Sequence, residues 1–426
     1  MIHNYIKIAF RNLFKHKVYS VINIFGLAVG ITCCLLITLY ISNEWSFDKF
    51  HGKSDRIYRA WVHEDYGEGD IYFNTVTPMV LKPTLEENIP EVESVARRLQ
   101  FADLVKPDEQ SEAFSESLQL VDPSFFEIFD FEMLRGDPQT ALSQPNQVVL
   151  SLEASKRYYG ETDPMQQNLL IKMGSEFEAY TVSGIIENAP KNSSIRYQLL
   201  LPFEKGRQLF SEQAFTNWFS VSPETYVLLK SDVSPETVEQ KFPSMMRQAL
   251  GQEEYERSSY SVGLQPLTDI HLNTEMPVGI ASVSDPTYSY ILGAVALLIL
   301  LIACVNFMTL SVSRSTSRAR EVGIRKTVGA QRKHLMIQFW GEALLMTVMA
   351  LGFGVILAEL LLPYFNMLSG TSLSLDINGT LGYTFTVLAV FISLVAGIYP
   401  ALILSGFRPV EVLKGKIQIK GDKSLF

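Results

Sequence analysis

Apolar residues are gathered into four long stretches of the chain, and segments of ordinary polarity separate them. The stretches are residues 18–41, 289–313, 335–362 and 381–404. The only charged residues inside them are Glu342 and Glu359. A helix needs about 20 residues to cross the hydrocarbon core of a bilayer. The pattern therefore predicts four transmembrane helices at these positions.

The first stretch could instead be a cleaved signal peptide. The apolar region of a signal peptide usually has about 7–15 residues and precedes a cleavage site of small residues. The stretch 18–41 is longer, and Ser42-Asn43-Glu44-Trp45 follows it. We interpret it as a retained membrane anchor.

Lysine and arginine mark the cytoplasmic side of a membrane protein. Residues 1–17 contain four of these bases and no acid, the loop 314–334 contains seven bases and one acid, and the tail 405–426 contains five bases and two acids. We therefore predict that all three segments, including both termini, lie in the cytoplasm. Residues 42–288 then form a large extracytoplasmic domain, and residues 363–380 form a short external loop.

Residues 1–17 also repeat apolar side chains with helical spacing, opposite a basic face. A basic amphipathic helix binds lipid at the membrane surface. We predict such a helix here, although these bases could serve only to orient the first span.

The predicted external domain differs in character from the rest of the chain. Residues 43–288 contain 20 bases, 39 acids and no cysteine. Strand-like segments such as 56–62 and 147–151 alternate with helix-like segments such as 233–250, which indicates an α+β domain with mixed sheets. The predicted fold class is thus an α-helical membrane protein with four transmembrane helices and a large α+β domain inserted between the first and the second.

Composition and motifs exclude several functions. The net charge of -9 and the sequence pI of 5.3 argue against nucleic acid as a partner. His51, His63 and His271 lie apart in the sequence, without the spacing of metal ligands. We find no catalytic motif and expect no catalytic, cofactor-binding or metal-binding residue in this chain.

One segment is distinctive. The run Arg318-Ala319-Arg320-Glu321-Val322-Gly323-Ile324-Arg325-Lys326-Thr327-Val328-Gly329-Ala330 lies between the second and third predicted spans. With Phe10-Arg11-Asn12-Leu13 near the start and Phe407-Arg408-Pro409-Val410 near the end, it resembles the MacB/FtsX-like ABC transporter permease family. The order of one span, a large external domain and three more spans is also similar to that family.

The resemblance implies a permease subunit of the bacterial inner membrane that has no ATPase domain of its own. A separate cytoplasmic ABC ATPase, which binds ATP and magnesium, would dock on the loop and drive movement of the periplasmic domain. The work done would be efflux, export of a lipoprotein or peptide, or control of an envelope enzyme. The implied coupling residues are Arg318, Glu321, Gly323, Arg325, Lys326, Gly329 and Ala330.

The resemblance also implies further partners. Longer members of the family continue into a second half with the same layout, so this chain is either the first half of a longer permease or a four-span protomer that pairs, as a homodimer or with a second permease half. A periplasmic adaptor is a further partner that the resemblance allows.

Other interpretations of the residues stay open. Gly26 and Gly30 could permit a close helix contact with another protomer. Glu342 and Glu359 could form a proton relay or could simply reach water. An alternative function is a membrane-anchored receptor or scaffold whose external domain binds a ligand.

Overall fold

The structure is a computed structural model, and it describes residues 11, 17–277, 279–313, 322–375, 386–387, 389–394 and 402. The chain divides into two compact units. One comprises residues 1–42 and 287–426, and the other comprises residues 43–286.

Three long helices dominate the described part of the first unit: Lys17–Glu44, Pro286–Ser313 and Arg332–Ser369. Each is long and apolar enough to cross a membrane. A helix suits the hydrocarbon core of a bilayer because its backbone N–H and C=O groups form hydrogen bonds with each other. The third helix continues past residue 362, where the predicted span ends. It includes Pro363, which has no N–H to donate to the carbonyl of Glu359, and it stops at Gly370 with a φ of 67°.

The predicted fourth span, 381–404, is described only at residues 386–387, 389–394 and 402, all of which are helical. Its other residues, the amphipathic segment 1–17 apart from Arg11 and Lys17, and the tail 405–426 lie outside the described residues. The count of four spans therefore stays a prediction.

Small residues allow the long helices to approach closely. A Cβ placed on Gly30 would lie 2.9 Å from the Cβ of Ala303 in the second helix, and one placed on Gly354 would lie 3.0 Å from Ile31. The hydroxyl of Thr32 donates to the carbonyl oxygen of Gly354 at 3.0 Å. An interhelical hydrogen bond of this kind stabilises helix packing where no water is present.

The second unit contains one eleven-stranded sheet. Its strands are β1 Ile57–Asp65, β2 Ile71–Asn74, β3 Val92–Lys106, β4 Phe114–Val121, β5 Met133–Arg135, β6 Gln147–Ser151, β7 Asn168–Met173, β8 Glu176–Ile186, β9 Leu199–Pro202, β10 Glu224–Leu229 and β11 Ser261–Pro266. Their order is β11-β1-β10-β3-β4-β9-β6-β8-β5, with β2 beside β1 and β7 between β3 and β8. The pairs β4–β9 and β6–β8 are parallel and the other pairs are antiparallel, so the sheet is mixed.

Short helices pack on this sheet. The α-helices are Leu81–Asn88, Phe125–Ile128, Leu152–Tyr159, Pro235–Glu239, Phe242–Leu250 and Gln252–Ser258, and the 3-10 helices are Phe203–Gln208, Glu212–Phe215 and Leu267–Asp269. They cover three apolar cores, centred on Phe125, Met246 and Tyr180.

One predicted element is wrong in detail. The single helix expected over residues 233–250 is two helices, which break between Glu239 and Phe242. Pro243 explains the break, because it has no N–H to donate to the carbonyl of Glu239, whereas a proline fits well in the first turn of the helix that begins at Phe242.

Candidate functional site

The loop before the third long helix has a defined shape. Residues 322–327 are helical. The amide of Ala330 then donates to the carbonyl oxygen of Arg325 at 3.0 Å, and that of Gly329 donates to the carbonyl oxygen of Lys326 at 3.1 Å. Gly329 has a φ of 100°, which a residue with a Cβ adopts only with strain. A glycine at this position therefore lets the chain turn at once from the short helix into the third long helix.

One side of the short helix packs inward. Val322 is buried against Leu335 and Phe339 of the third long helix. The guanidinium of Arg325 donates to the Oε1 atom of Gln338 at 2.6 Å, and the Nε2 atom of Gln338 lies 3.4 Å from a carboxylate oxygen of Glu342. These contacts fix the orientation of residues 322–330 on the third helix.

The other side faces outward. Val328 is 83% exposed and Ile324 is 52% exposed, although both are branched apolar residues. Partial burial, together with the neighbouring charge of Arg332, lowers the pKa of Lys326. Residues 322–330, which we call the coupling segment, thus present apolar side chains beside cationic ones.

The predicted coupling residues have different positions. Arg318 and Glu321 lie outside the described residues. Gly323 is buried, Arg325 points inward to Gln338, and Gly329 makes the turn. Lys326 and Ala330 are half-buried at the edge of the exposed side.

Gly26 and Gly30 face the second long helix of the same chain. A Cβ on Gly26 would lie 3.3 Å from the Nδ2 atom of Asn306. The two glycines therefore bring two helices of one chain together, and their contact with a second protomer stays a prediction.

The external unit holds a second cluster of polar groups, around His271. The Nε2 atom of His271 lies 3.2 Å from a carboxylate oxygen of Glu44, and its Nδ1 atom lies 3.1 Å from the carbonyl oxygen of Ser282. The ring of Phe47 stacks on the imidazole with 3.3 Å between centroids. The cluster ties the residues after the first long helix to the residues that precede the second.

Asp48 and His51, which follow the first long helix, are buried as well. Asp48 has a φ of 58°, and its carboxylate accepts hydrogen bonds from the hydroxyl of Ser193 and the amide of Ser194. Burial raises the pKa of Asp48, although these hydrogen bonds oppose the rise. His51 accepts a hydrogen bond from the amide of Asp130 at its Nδ1 atom, and burial lowers its pKa to about 4.

A row of charged and amide side chains crosses the sheet. Glu224 is fully buried, with carboxylate oxygens 3.1 Å from Arg59 and 2.8 Å from Arg98. Burial alone would raise the pKa of Glu224, but the charges of Arg98 and Arg59 outweigh it and hold the pKa below its usual value. The amide of Ile280 also donates to Glu224 at 3.2 Å. The row therefore holds the segment before the second long helix onto the sheet.

The described residues contain no group of three histidine, cysteine, aspartate or glutamate side chains that could hold a metal ion. The polar clusters of this part of the chain instead join segments of the fold. The sequence did not reveal the partners of His271, because Glu44 and Ser282 are remote from each other in the chain and only folding brings both to the ring.

Two protein families match the chain. The MacB-like periplasmic core domain matches residues 20–244, which is more than half of the chain, and the FtsX-like permease C-terminal domain matches residues 293–409.

Several curated proteins are similar in sequence. The uncharacterized ABC transporter permease YvrN of Bacillus subtilis is 22% identical over 96% of this chain and 99% of its own length. The macrolide export ATP-binding/permease protein MacB of Neisseria meningitidis is 21% identical over 70% of this chain, and the chain spans 43% of its length. The MacB protein of Bdellovibrio bacteriovorus is 30% identical over 31% of this chain and 20% of its own length. The chain thus spans less than half of these MacB proteins.

Solved structures also match part of the chain, with low TM-scores. A domain of a permease protein from Porphyromonas gingivalis matches with a TM-score of 0.46 and 22% identity. The match covers 57% of this chain and 98% of that domain. The periplasmic region of MacB from Actinobacillus actinomycetemcomitans has a TM-score of 0.34 and 13% identity, over 48% of this chain and 87% of that region. From the two family matches and its apolar helices, the chain is a multi-pass membrane protein with an external domain, and it belongs to the MacB/FtsX-like family of ABC transporter permeases.

Proposed function

We propose that this chain is the permease subunit of an ABC transporter and that a separate cytoplasmic ATPase drives it through the coupling segment. The chain would cross the bacterial inner membrane four times, with both termini in the cytoplasm and residues 42–288 in the periplasm. ATP and magnesium would bind to the ATPase. A second copy of the chain, or another permease half, would complete the membrane part, since an ABC permease needs two halves.

The observation that carries this proposal is the exposure of Val328 and Ile324 on a segment that is otherwise well anchored. Exposed branched apolar side chains cost solvation energy, and a partner surface that covers them gains about 25 cal/mol for each Å² buried. Val322 and Arg325 fix the inner side of the segment to the third long helix. The segment can therefore bind a partner without first becoming ordered.

The anchoring also indicates how force would travel. The coupling segment turns directly into the third long helix and packs on its first turns through Leu335, Gln338 and Phe339. Closure of the ATPase pair would displace the segment, and this helix would move with it. In the external unit, the Glu44–His271 contact and the Glu224–Ile280 contact hold both chain ends of the domain to its sheet and loops. Movement of either end would therefore be passed to the domain.

Co-purification tests the proposal. The full chain would be co-expressed with an ABC ATPase from the same organism and isolated in mild detergent through a tag on the permease. We expect the ATPase to co-purify with the wild type and not with Val328→Asp or Ile324→Asp, because a carboxylate would have to be desolvated in the interface. Tyr72→Asp is the matched control, since Tyr72 is an exposed apolar residue of the external unit. Equal recovery of the ATPase with all variants would refute docking on the coupling segment.

A further inference from the structure

We propose that Gln338 is a positioning residue that locks the coupling segment to the third long helix, with Arg325 on one side and Glu342 on the other. The consequence for coupling rests on the proposed function, whereas the lock itself is a property of this chain alone.

The geometry leaves one arrangement for the Gln338 amide. The guanidinium of Arg325 carries only donors, so it must face the carbonyl oxygen Oε1, which lies 2.6 Å away. The Nε2 group then points to the Glu342 carboxylate, an acceptor 3.4 Å away. Both polar ends of Gln338 are thereby used, as a side chain that is only 5% exposed requires.

The lock also accounts for Glu342. This residue is 7% exposed within an apolar helix, where an unpaired carboxylate would be costly. Gln338 lies four residues before Glu342 on the same helix and contacts both the Glu342 carboxylate and the guanidinium of Arg325 in the coupling segment. It thereby links the carboxylate to a positive charge. Glu359 lies on the same helix but is exposed, so the two acidic residues have different surroundings.

This arrangement changes the role of Arg325. The sequence suggested a charge that pairs with the ATPase, but its guanidinium donates inward to Gln338. Arg325 and Gln338 would instead keep Val328 and Ile324 in place for the partner. A force on the exposed side of the coupling segment would then move the third long helix rather than deform the segment.

Hydrogen exchange tests the lock without any ATPase. The full chain would be placed in lipid nanodiscs, and exchange would be followed at the amides of Val328, Gly329 and Ala330, which close the turn. We expect Gln338→Leu to accelerate their exchange about tenfold, while Glu359→Leu, on the same helix, leaves it unchanged. Gln338→Glu combined with Glu342→Gln keeps an acceptor for Arg325 and an amide donor between positions 338 and 342, so this double variant should restore protection. Wild-type protection in Gln338→Leu, or equal loss in Glu359→Leu, would overturn the proposal.

A second measurement tests the coupling consequence. With the ATPase bound, Gln338→Leu should retain affinity for it but lose most of the permease-dependent stimulation of ATP hydrolysis. The double variant Gln338→Glu with Glu342→Gln should recover the stimulation. Full stimulation in Gln338→Leu would contradict the positioning role. If no ATPase bound the wild type, the proposed function would fail, and the exchange experiment would still decide whether the lock exists.

Discussion

Glu44 and His271 are 227 positions apart in the sequence, yet a carboxylate oxygen of one lies 3.2 Å from the Nε2 atom of the other. Glu44 is the last residue of the first long helix, and His271 is followed by the segment that leads to the second. The Nδ1 atom of the same ring lies 3.1 Å from the carbonyl oxygen of Ser282. The two ends of the external domain are thus joined through one imidazole ring.

Substitution of His271 tests this joint. His271→Phe keeps a ring to stack on Phe47 but removes the hydrogen bond between the ring and the buried carboxylate of Glu44, which costs roughly 1–3 kcal/mol. His271→Ala also removes the stack and should cost more. The free energy of unfolding, measured by urea titration of the full chain in detergent, checks both. If His271→Phe were as stable as the wild type, the bond to Glu44 would contribute nothing.

His51 predicts a dependence of stability on pH. The rings of Phe50, Phe129 and Phe131 surround it, and burial lowers its pKa from 6.5 to about 4. As the pH falls from 6.5 to 4, the unfolded chain binds a proton at this histidine and the folded chain does not. The free energy of unfolding should therefore decrease by about 3 kcal/mol as the pH falls from 6.5 to 4.

The pH dependence is checked by thermal unfolding of the full chain between pH 7 and pH 4. His51→Asn keeps an acceptor for the Asp130 amide but cannot titrate, so its unfolding free energy should fall less steeply with pH. His63→Asn is the control, and it should behave as the wild type does. The same slope in the His51→Asn variant and the wild type would show that His51 is not the group responsible.

Glu224→Gln is expected to be strongly destabilising. Among the residues that the structure describes, Glu224 is the carboxylate that pairs with both Arg59 and Arg98, and both arginines are buried. Breaking a buried ion pair costs about 3–5 kcal/mol, because a charge remains without compensation. Glu93→Gln removes the exposed partner of Arg56 and should cost less than about 1 kcal/mol. Urea titration distinguishes the two, and similar costs would argue against the buried row as a structural anchor.

Gly30→Leu tests the packing of the first and second long helices. A Cβ at Gly30 already meets the Cβ of Ala303 at 2.9 Å, and overpacking of this kind costs about 1–3 kcal/mol. Nothing lies within 4 Å of a Cβ at Gly352, so Gly352→Leu is the matched control. A thiol-reactive dye reports unfolding through the buried Cys34 and Cys304. Equal thermal midpoints for the two variants would contradict the close approach.

The long helices were predictable because their signal is local. An uninterrupted apolar stretch such as 18–41 indicates a membrane helix wherever the rest of the chain lies. The strand β6 was also predicted at its observed bounds, Gln147–Ser151, since a short apolar run with β-branched residues carries its own signal.

Strand β11 escaped prediction for a physical reason. Gly263 and Pro266 resemble loop residues, yet Gly263 is required because the ring of Trp61 lies directly over it and leaves no room for a Cβ. Such a requirement comes from the neighbouring strand and has no trace in the local sequence. The same holds for Arg59 and Glu224, whose charges favour exposure to water and which folding buries against each other.

The sequence drew attention to residues 318–330, but it did not reveal the geometry of residues 322–330. The glycines and bases of 318–330 marked the region, and Gly329 has the turn conformation that a glycine allows. The inward direction of Arg325 and the exposure of Val328 depend on how the segment packs on Gln338, which no spacing rule specifies.

Photo-crosslinking at position 328 tests the central claim most directly. The photoreactive residue p-benzoylphenylalanine would replace Val328 in one sample and Tyr72 in another, in cells that also produce an ABC ATPase from the same organism. The account predicts that irradiation joins the permease to the ATPase from position 328 and not from position 72. No adduct at position 328, in a variant that inserts in the membrane normally, would contradict the account.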